Sequence, residues 1–395
     1  MILKRASIVL VVAFLLFSIM AVLPIVNAEQ QDAATAISSA QSTLLNCYSA
    51  AKSAEAAGAN ITQLTSTLNQ AGALLSRAQL ALSQNDSVTA TNLAVQSQGL
   101  LGGFVSQAGV EQSSAQSQKD ESFFVNVVLS TVGTVVAIAA SFGLWYLLKR
   151  MYNGNSVKKS ALQRYKVLFF VIAGIIILLV ASPALQRVLV YPQTDFFTET
   201  WLLGPSHTAE NYPYNITADQ NYGVFLGIAN HLGSCAYYMV EVKFRNETQS
   251  APDTLGATAS SLPSLYNMYV FVPDGGQYEV PLNFAFGYSI SNVTRVVYSN
   301  VTSAQGFGNS SMVQPIPTTV TLLQANYYSL NLNNNTLSLR GLSQDWNSTT
   351  SEFYGNLFFE LWIYNGTTAG FQYNNRFVSL QFNMTAIGMG GLVGG

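Results

Sequence analysis

Two apolar runs divide this 395-residue chain and constrain everything around them. Phe123 to Leu148 passes 26 residues without a charge, and Val167 to Leu185 is a second run that continues past Arg187 to Val190. About 20 helical residues cross a hydrocarbon core of about 30 Å, so each run is long enough to span a bilayer. Between them Lys149, Arg150, Lys158, Lys159, Arg164 and Lys166 supply six of the chain's 17 Lys and Arg residues. Short basic loops are retained in the cytoplasm. The expectation is a transmembrane helix over 123–148, a cytoplasmic loop over 149–166 and a second transmembrane helix over 167–190. Trp145, Tyr146, Tyr165 and Tyr191 fall where interfacial aromatics belong, and Arg187 can snorkel outward. Gly133 and the Ala139-x-x-x-Gly143 pair would let the two helices approach closely. Neither run carries an interior acid, His or Lys, which argues against a proton relay or an ion pathway.

A second, independent pattern gives the same sidedness. Eleven Asn-x-Ser/Thr sequons occur, at Asn60, Asn85, Asn215, Asn246, Asn292, Asn300, Asn309, Asn334, Asn347, Asn365 and Asn383. None lies between Lys149 and Tyr191. N-glycans belong to secreted surfaces, so both flanks of the anchor are expected outside the cell, joined by a short basic loop within. These eleven asparagines are the candidate glycosylation sites.

The N-terminus reads as a signal peptide over 1–28. Lys4 and Arg5 form its charged start and Ile8 to Val22 its apolar core. Leu23-Pro24 is expected to break the helix, and Val26-Asn27-Ala28 supplies small residues before a cut at Glu29. Charged residues make up only 9% of the chain, against about 25% in soluble domains. Neutral polar residues take their place. The net charge of −2 and the absence of a basic patch outside the short loop argue against a nucleic-acid partner. A surface so poor in ionisable groups titrates little, which is the expectation for an archaeal exterior adapted to acid or heat.

Residues 29–122 read as an exterior helical bundle or coiled coil. Ala33, Ile37, Ala40, Leu44, Cys47, Ala51 and Ala54 form one heptad seam. Ile61, Leu64, Leu68, Ala71, Leu75, Ala78 and Leu82 form another after Gly58-Ala59-Asn60. A third stripe runs Ala90, Ala94, Ser97, Leu101, Phe104, Ala108, with Asp86 or Ser87 as its N-cap. Short polar turns between helices predict an antiparallel three-helix bundle, self-contained, with Asn60 and Asn85 at its turns. A Gln/Ser-rich connector then leads into the first apolar run.

From Tyr191 the texture becomes β. Expected strands are Tyr222–Asn230, Ala236–Phe244, Met268–Val272, Glu279–Phe286, Thr294–Tyr298, Thr318–Leu323, Tyr327–Leu332, Leu357–Tyr364 and Phe377–Asn383, with a turn at Pro273-Asp274-Gly275-Gly276. Short strands at such spacing predict an antiparallel sandwich over 191–387, one large domain or two small ones, before a flexible Gly-rich tail over 388–395.

The stretch FTETWLLGPSHTAENYPYNITADQNYGVFLGIANHLGSCAYYMVEVKF resembles the exterior part of archaeal membrane proteins grouped as "domain of unknown function 1616". The carrying residues are Gly204-Pro205, Tyr212-Pro213, Asn215–Thr217 and Gly227–His231. The later FFELWIYNGTTAGFQYNNRFVSLQFNMT is similar in its Phe-Glu-Leu-Trp strand and Asn-Arg turn. The resemblance implies a membrane-tethered surface protein with an immunoglobulin-like sandwich. It implies no reaction, and it does not extend to the helical segment.

Catalytic chemistry is sparse. His231, Cys235 and Met239 are spaced by four and with His207 invite a copper-site reading; the competing reading is that Asn230-His231 shapes a turn and Cys235 is a packed thiol. Cys47 and Cys235 could form a disulfide in an oxidising compartment. Glu360 in an aromatic strand, if buried, would need Arg376 or Arg340. Asp253 and Asp274 lack the acidic density of a calcium loop. No nucleophile elbow, phosphate loop or zinc-protease helix occurs. Tyr266, Tyr269, Tyr327, Tyr328, Phe371 and Tyr373 are candidates for a glycan- or peptide-binding face, with core packing as the alternative. The chain is therefore expected to be a non-enzymatic, N-glycosylated cell-surface protein without cofactors. Its expected partners are membrane lipid, surface-layer or other envelope proteins and a second copy of itself. The alternative is a ligand- or glycan-binding ectodomain or an accessory subunit of a membrane complex.

Overall fold

A computed structural model describes residues 2–151, 166–189, 196–253, 256–299 and 316–385, the first 28 by their backbone alone. Most of the expected cytoplasmic loop, the sequons Asn300 and Asn309 and the Gly-rich tail lie outside the described residues. Among the described residues six α-helices come first: α1 (Ile2–Ala56), α2 (Thr62–Ser83), α3 (Ser87–Leu100), α4 (Phe104–Phe123), α5 (Ser130–Met151) and α6 (Lys166–Leu189). A π-helical turn, Phe124–Leu129, joins α4 to α5, so the connector does continue as helix into the apolar run. Eleven strands follow: β1 (Phe197–Leu203), β2 (Asn215–Thr217), β3 (Tyr222–His231), β4 (Ala236–Arg245), β5 (Tyr266–Val272), β6 (Gln277–Ser299), β7 (Ile316–Leu332), β8 (Asn335–Ser338), β9 (Ser343–Asp345), β10 (Tyr354–Asn365) and β11 (Gly370–Thr385).

The heptad reading holds position by position. Every residue of the three stripes is buried except Leu82, which is partly covered. Alanines at the seams allow the helices to approach closely. Asp86 caps α3, its carboxylate accepting from Thr89 N at 3.0 Å, and that bond holds the exposed carboxyl below its ordinary pKa. The expected break at Leu23-Pro24 does not occur, since α1 stays helical from Ile2 through Pro24 to Ala56. An interior proline costs about 3 kcal/mol, and the alanine-rich sequence that follows is strongly helix-forming.

The chain folds as two compact units, one of residues 1–49, 62–104 and 197–395, the other of 50–61 and 105–196. In the second unit α5 and α6 pack antiparallel. Trp145 meets Phe169 and Phe170 with ring centres 5.5 and 5.3 Å apart. Toward the other end, Ser130 Oγ donates to Val180 O. Gly133 is the close approach, where an added Cβ would lie 3.1 Å from Val180 Cγ1, whereas Gly143 faces open space. The outward surface is apolar, with Leu129, Phe142 and Leu179 all at least 60% exposed. The helical stretch Ser87–Leu147 is long and apolar enough to cross a membrane.

In the first unit the strands form two sheets. The first runs β1-β3-β6-β7-β8, with β9 also on β7; the second runs β2-β11-β10-β4-β5. Strands from both halves of the β region contribute to each sheet, so it is one sandwich rather than two small domains. Alternation places Val224, Leu226 and Ile228 of β3 and Phe284 and Phe286 of β6 against Val240, Val242, Leu357, Phe359 and Phe382 of the other sheet. Four expected strands merge into two long ones. β6 continues through Ser289–Asn292 and β7 through Gln324–Asn326, with β6 from Phe284 to Ser299 paired to β7 apart from a bulge beside Gly287/Tyr288.

Candidate functional site

Helix α2 has two working faces. Its heptad seam packs on helices, but Thr65, Asn69, Gly72 and Ser76, spaced by four, three and four, form a second buried face. That face lies along β5, the edge strand of the second sheet. Asn69 Nδ2 donates to Phe271 O at 3.0 Å, and Phe271 N donates back to Asn69 Oδ1 at 2.7 Å. Ser76 Oγ accepts from Tyr269 N at 3.3 Å while donating to Gly72 O at 2.9 Å. Gly72 is needed for the approach, because an added Cβ would stand 3.1 Å from Tyr269 O. The helix thus satisfies an edge strand's outward backbone groups as a partner strand would, and so closes a hazardous edge. The expectation of a self-contained bundle is corrected accordingly. Polar side chains that serve a sheet edge look, in sequence, like a solvent face.

An aromatic layer completes this junction. Tyr237 stacks on Phe271 at 4.2 Å and meets Phe371 edge-on at 4.9 Å. Tyr48 of α1 leans on Tyr237 and Phe271, and its hydroxyl donates to Cys235 O at 3.0 Å. Burial, with Tyr269 and Tyr364 nearby, pushes the Tyr237 phenol well above its ordinary pKa.

Beside the junction lies a cavity of about 190 Å³, floored by Met268 and Val270 and rimmed by Arg77, Tyr278, Asn333 and Asn335. A smaller one, about 130 Å³, adjoins it between Gln79, Ser83 and Ser264. An apolar floor with an amide rim and one cation suits a single sugar ring or a peptide side chain. The volume falls below the roughly 300 Å³ at which drug-sized sites begin. Of the six aromatic candidates, Tyr266 and Tyr269 reach this groove, both largely buried. Burial raises Tyr266 to about 12 despite the nearby Arg77. Tyr327 is in the sandwich core, Tyr328 is exposed on the first sheet, Phe371 belongs to the aromatic layer and Tyr373 meets Trp362 at 5.6 Å. The six do not form one face. Arg77, Tyr278 and the two rim asparagines carry no sequence pattern that would have united them.

Glu360 is fully buried, but its partner is neither Arg376 nor Arg340. Lys243 Nζ stands 2.7 Å from Glu360 Oε2 and 2.8 Å from Glu241 Oε2, and donates to Ser260 O at 3.0 Å. Ser260 N donates to Glu360 Oε1 at 2.6 Å. The reason is register: Glu360 sits directly across from Glu241 on β4, and Lys243 lies two residues along the same face. All three ammonium protons are used, so the cluster pins the loop after β4 to the sheet and leaves no amine for chemistry.

The histidines are apart. His207 Nδ1 is 3.3 Å from Glu279 Oε2 and its ring stacks on Phe225, while His231 stacks on Phe197. Phe225 and His231 are six residues apart along β3, about 20 Å at 3.3 Å per residue. Asn230 does shape a turn: its Nδ2 donates to Ser234 O and Val272 O, and its Oδ1 accepts from Leu232 N. Cys47 and Cys235 are buried and not joined in a disulfide, and burial pushes Cys47 up to about 11. Among the described residues no group of three His, Cys, Asp or Glu side chains could hold a metal ion.

The described sequons differ in exposure. Asn60 and Asn85 lie exposed at the two inter-helix turns, and Asn215, Asn292 and Asn334 are exposed on the sandwich. Asn246, Asn347, Asn365 and Asn383 are half-buried. No protein-family model matches the chain, and no curated protein matches it in sequence.

Proposed function

We propose that this chain is a non-enzymatic, N-glycosylated cell-surface membrane protein whose two membrane helices, α5 and α6, hold a composite exterior domain for contact with envelope or surface-layer proteins. One observation carries the topology. Most of α1, with α2 and α3, shares one compact unit with the strands after α6, joined through Asn69 and Phe271. A chain that leaves and rejoins the same body must cross a membrane an even number of times. A single crossing by the stretch Ser87–Leu147 would separate α2 from β5, so α6 is read as the return span. The basic residues between the spans then face the cytoplasm, and every sequon faces outward. We read the sandwich as immunoglobulin-like, and the chain as akin to the "domain of unknown function 1616" group, on the residue resemblance alone.

The saturated Lys243 cluster and the separated histidines support a role without catalysis. The groove between α2 and β5 favours a second reading, a ligand- or glycan-binding ectodomain. Affinity capture of the full chain from gently solubilised membranes separates the two. Co-purification of abundant envelope proteins at near-stoichiometric amounts supports the structural role. Its absence, together with retention on immobilised oligosaccharide that Arg77→Ala abolishes, supports the binding role.

A further inference from the structure

We propose that the fold divides six of the described sequons into acceptors and structural asparagines, so that sugar is carried at Asn85, Asn292 and Asn334 and withheld from Asn246, Asn347 and Asn383. The inference rests on the secretory-face reading above and adds which side chains are modified there.

In N-glycosylation the amide Nδ2 attacks C1 of a sugar carried on a lipid phosphate or diphosphate. The N–C1 bond forms and the C1–O bond to phosphate breaks. The bonding pair leaves with the phosphate, and one amide proton passes to the transferase's base. The Nδ2 atom must therefore face open space and be free to twist out of amide conjugation. In the three withheld side chains both ends of the amide are held. Asn246 Oδ1 accepts from Thr248 N at 3.1 Å and Thr248 Oγ1 at 2.8 Å, while its Nδ2 donates to Ser343 O at 3.1 Å. Asn347 Oδ1 accepts from Thr349 N at 2.9 Å, and its Nδ2 donates to Glu247 Oε1 at 2.8 Å. Asn383 Oδ1 accepts from Phe353 N at 3.0 Å, and its Nδ2 donates to Asn215 Oδ1 at 3.3 Å. Because a backbone N–H fixes each oxygen, the assignment of the nitrogen follows, and the amide cannot be flipped. Asn246 and Asn347 together tie the loop after β4 to the segment around β9. A pyranose on either nitrogen would have to displace that contact.

The acceptors differ in kind. Asn292 is exposed on β6, and Asn334 is exposed at the tip of the β7–β8 hairpin with φ +63°. Asn85 is exposed at the α2–α3 turn and uses only its oxygen, taking Gln30 Nε2 at 3.4 Å. All three residues are exposed, where a bulky polar group displaces no packing.

The test is glycopeptide mapping by mass spectrometry of the full-length chain from native membranes. Expected is sugar on the Asn85, Asn292 and Asn334 peptides and bare Asn246, Asn347 and Asn383. Stoichiometric sugar on any of the latter three overturns the division. Sugar at no position overturns the secretory-face reading instead. The division is then decided by thermal unfolding of full-length Asn→Gln variants made without glycosylation. Asn246→Gln, Asn347→Gln and Asn383→Gln should each lower Tm by several degrees, with Asn292→Gln and Asn334→Gln unchanged. Equal Tm values across the five would refute it.

Discussion

Replacing Asn69 by Ala tests the junction between helix α2 and the sheet. The side chain is 7% exposed and makes two hydrogen bonds to one residue, Phe271, whose own side chain is fully buried. Alanine is a better helix former than asparagine, a gain of about 0.5 kcal/mol. Against this, Phe271 N–H and C=O lose their partners inside a dry interface. Each buried unsatisfied backbone group costs about 1–3 kcal/mol, so the net expected loss is about 1.5–5.5 kcal/mol. The measurement is denaturant unfolding of the full chain in detergent, followed by Trp fluorescence, with amide hydrogen exchange at Phe271 as a local readout. Exchange at Phe271 should rise while the central strand β10 keeps its protection. A loss below 1 kcal/mol with Phe271 still protected would mean that water or a shifted strand serves this edge, and the account of α2 as a surrogate strand would be wrong.

Three further outcomes follow from the same geometry. Gly72→Ala should destabilise by up to about 2 kcal/mol in thermal melts, because overpacking against Tyr269 at about 1–3 kcal/mol outweighs the roughly 1 kcal/mol gain in helix propensity. Lys243→Met should cost about 3–5 kcal/mol by stranding buried Glu360. The triple change of Lys243→Met, Glu241→Gln and Glu360→Gln should recover much of that loss in the same melt. In alkali the buried phenols set the limit. Burial raises Tyr238, Tyr266 and Tyr288 to about 12 each, against about 10 when unfolded. The folded state therefore holds more protons, so stability is full below pH 10 and falls as pH climbs toward 12. A flat Tm from pH 9 to 12 would contradict this.

The helical half was legible because its core repeats: alanine or leucine every three to four residues leaves one answer for which face is buried. The sandwich strands were legible where apolar residues alternate, as in β3, β4 and β10. Elsewhere the signal was masked by polar residues with structural duties. Ser289–Asn292 and Gln324–Asn326 fell outside the expected strands, yet pair within β6 and β7. β1 sits beside the apolar run and β2, β8 and β9 are too short for a period to register. Asn69 and Ser76 went unread because no sequence pattern announces a bond to a strand that lies about 200 residues further on. Lys243 was hidden for the same reason: its pairing with Glu360 depends on the β4–β10 register, which the chain specifies only through the fold.

The central claim is that α5 and α6 place both parts of the composite domain outside the cell. The native thiols, Cys47 and Cys235, are buried, so single added cysteines report cleanly with a membrane-impermeant maleimide. On sealed cells, Ser83→Cys on the helical side and Thr367→Cys on the sandwich should both be labelled, and Lys158→Cys only after permeabilisation. Labelling of Lys158→Cys on intact cells, or protection of either of the other two, would contradict it.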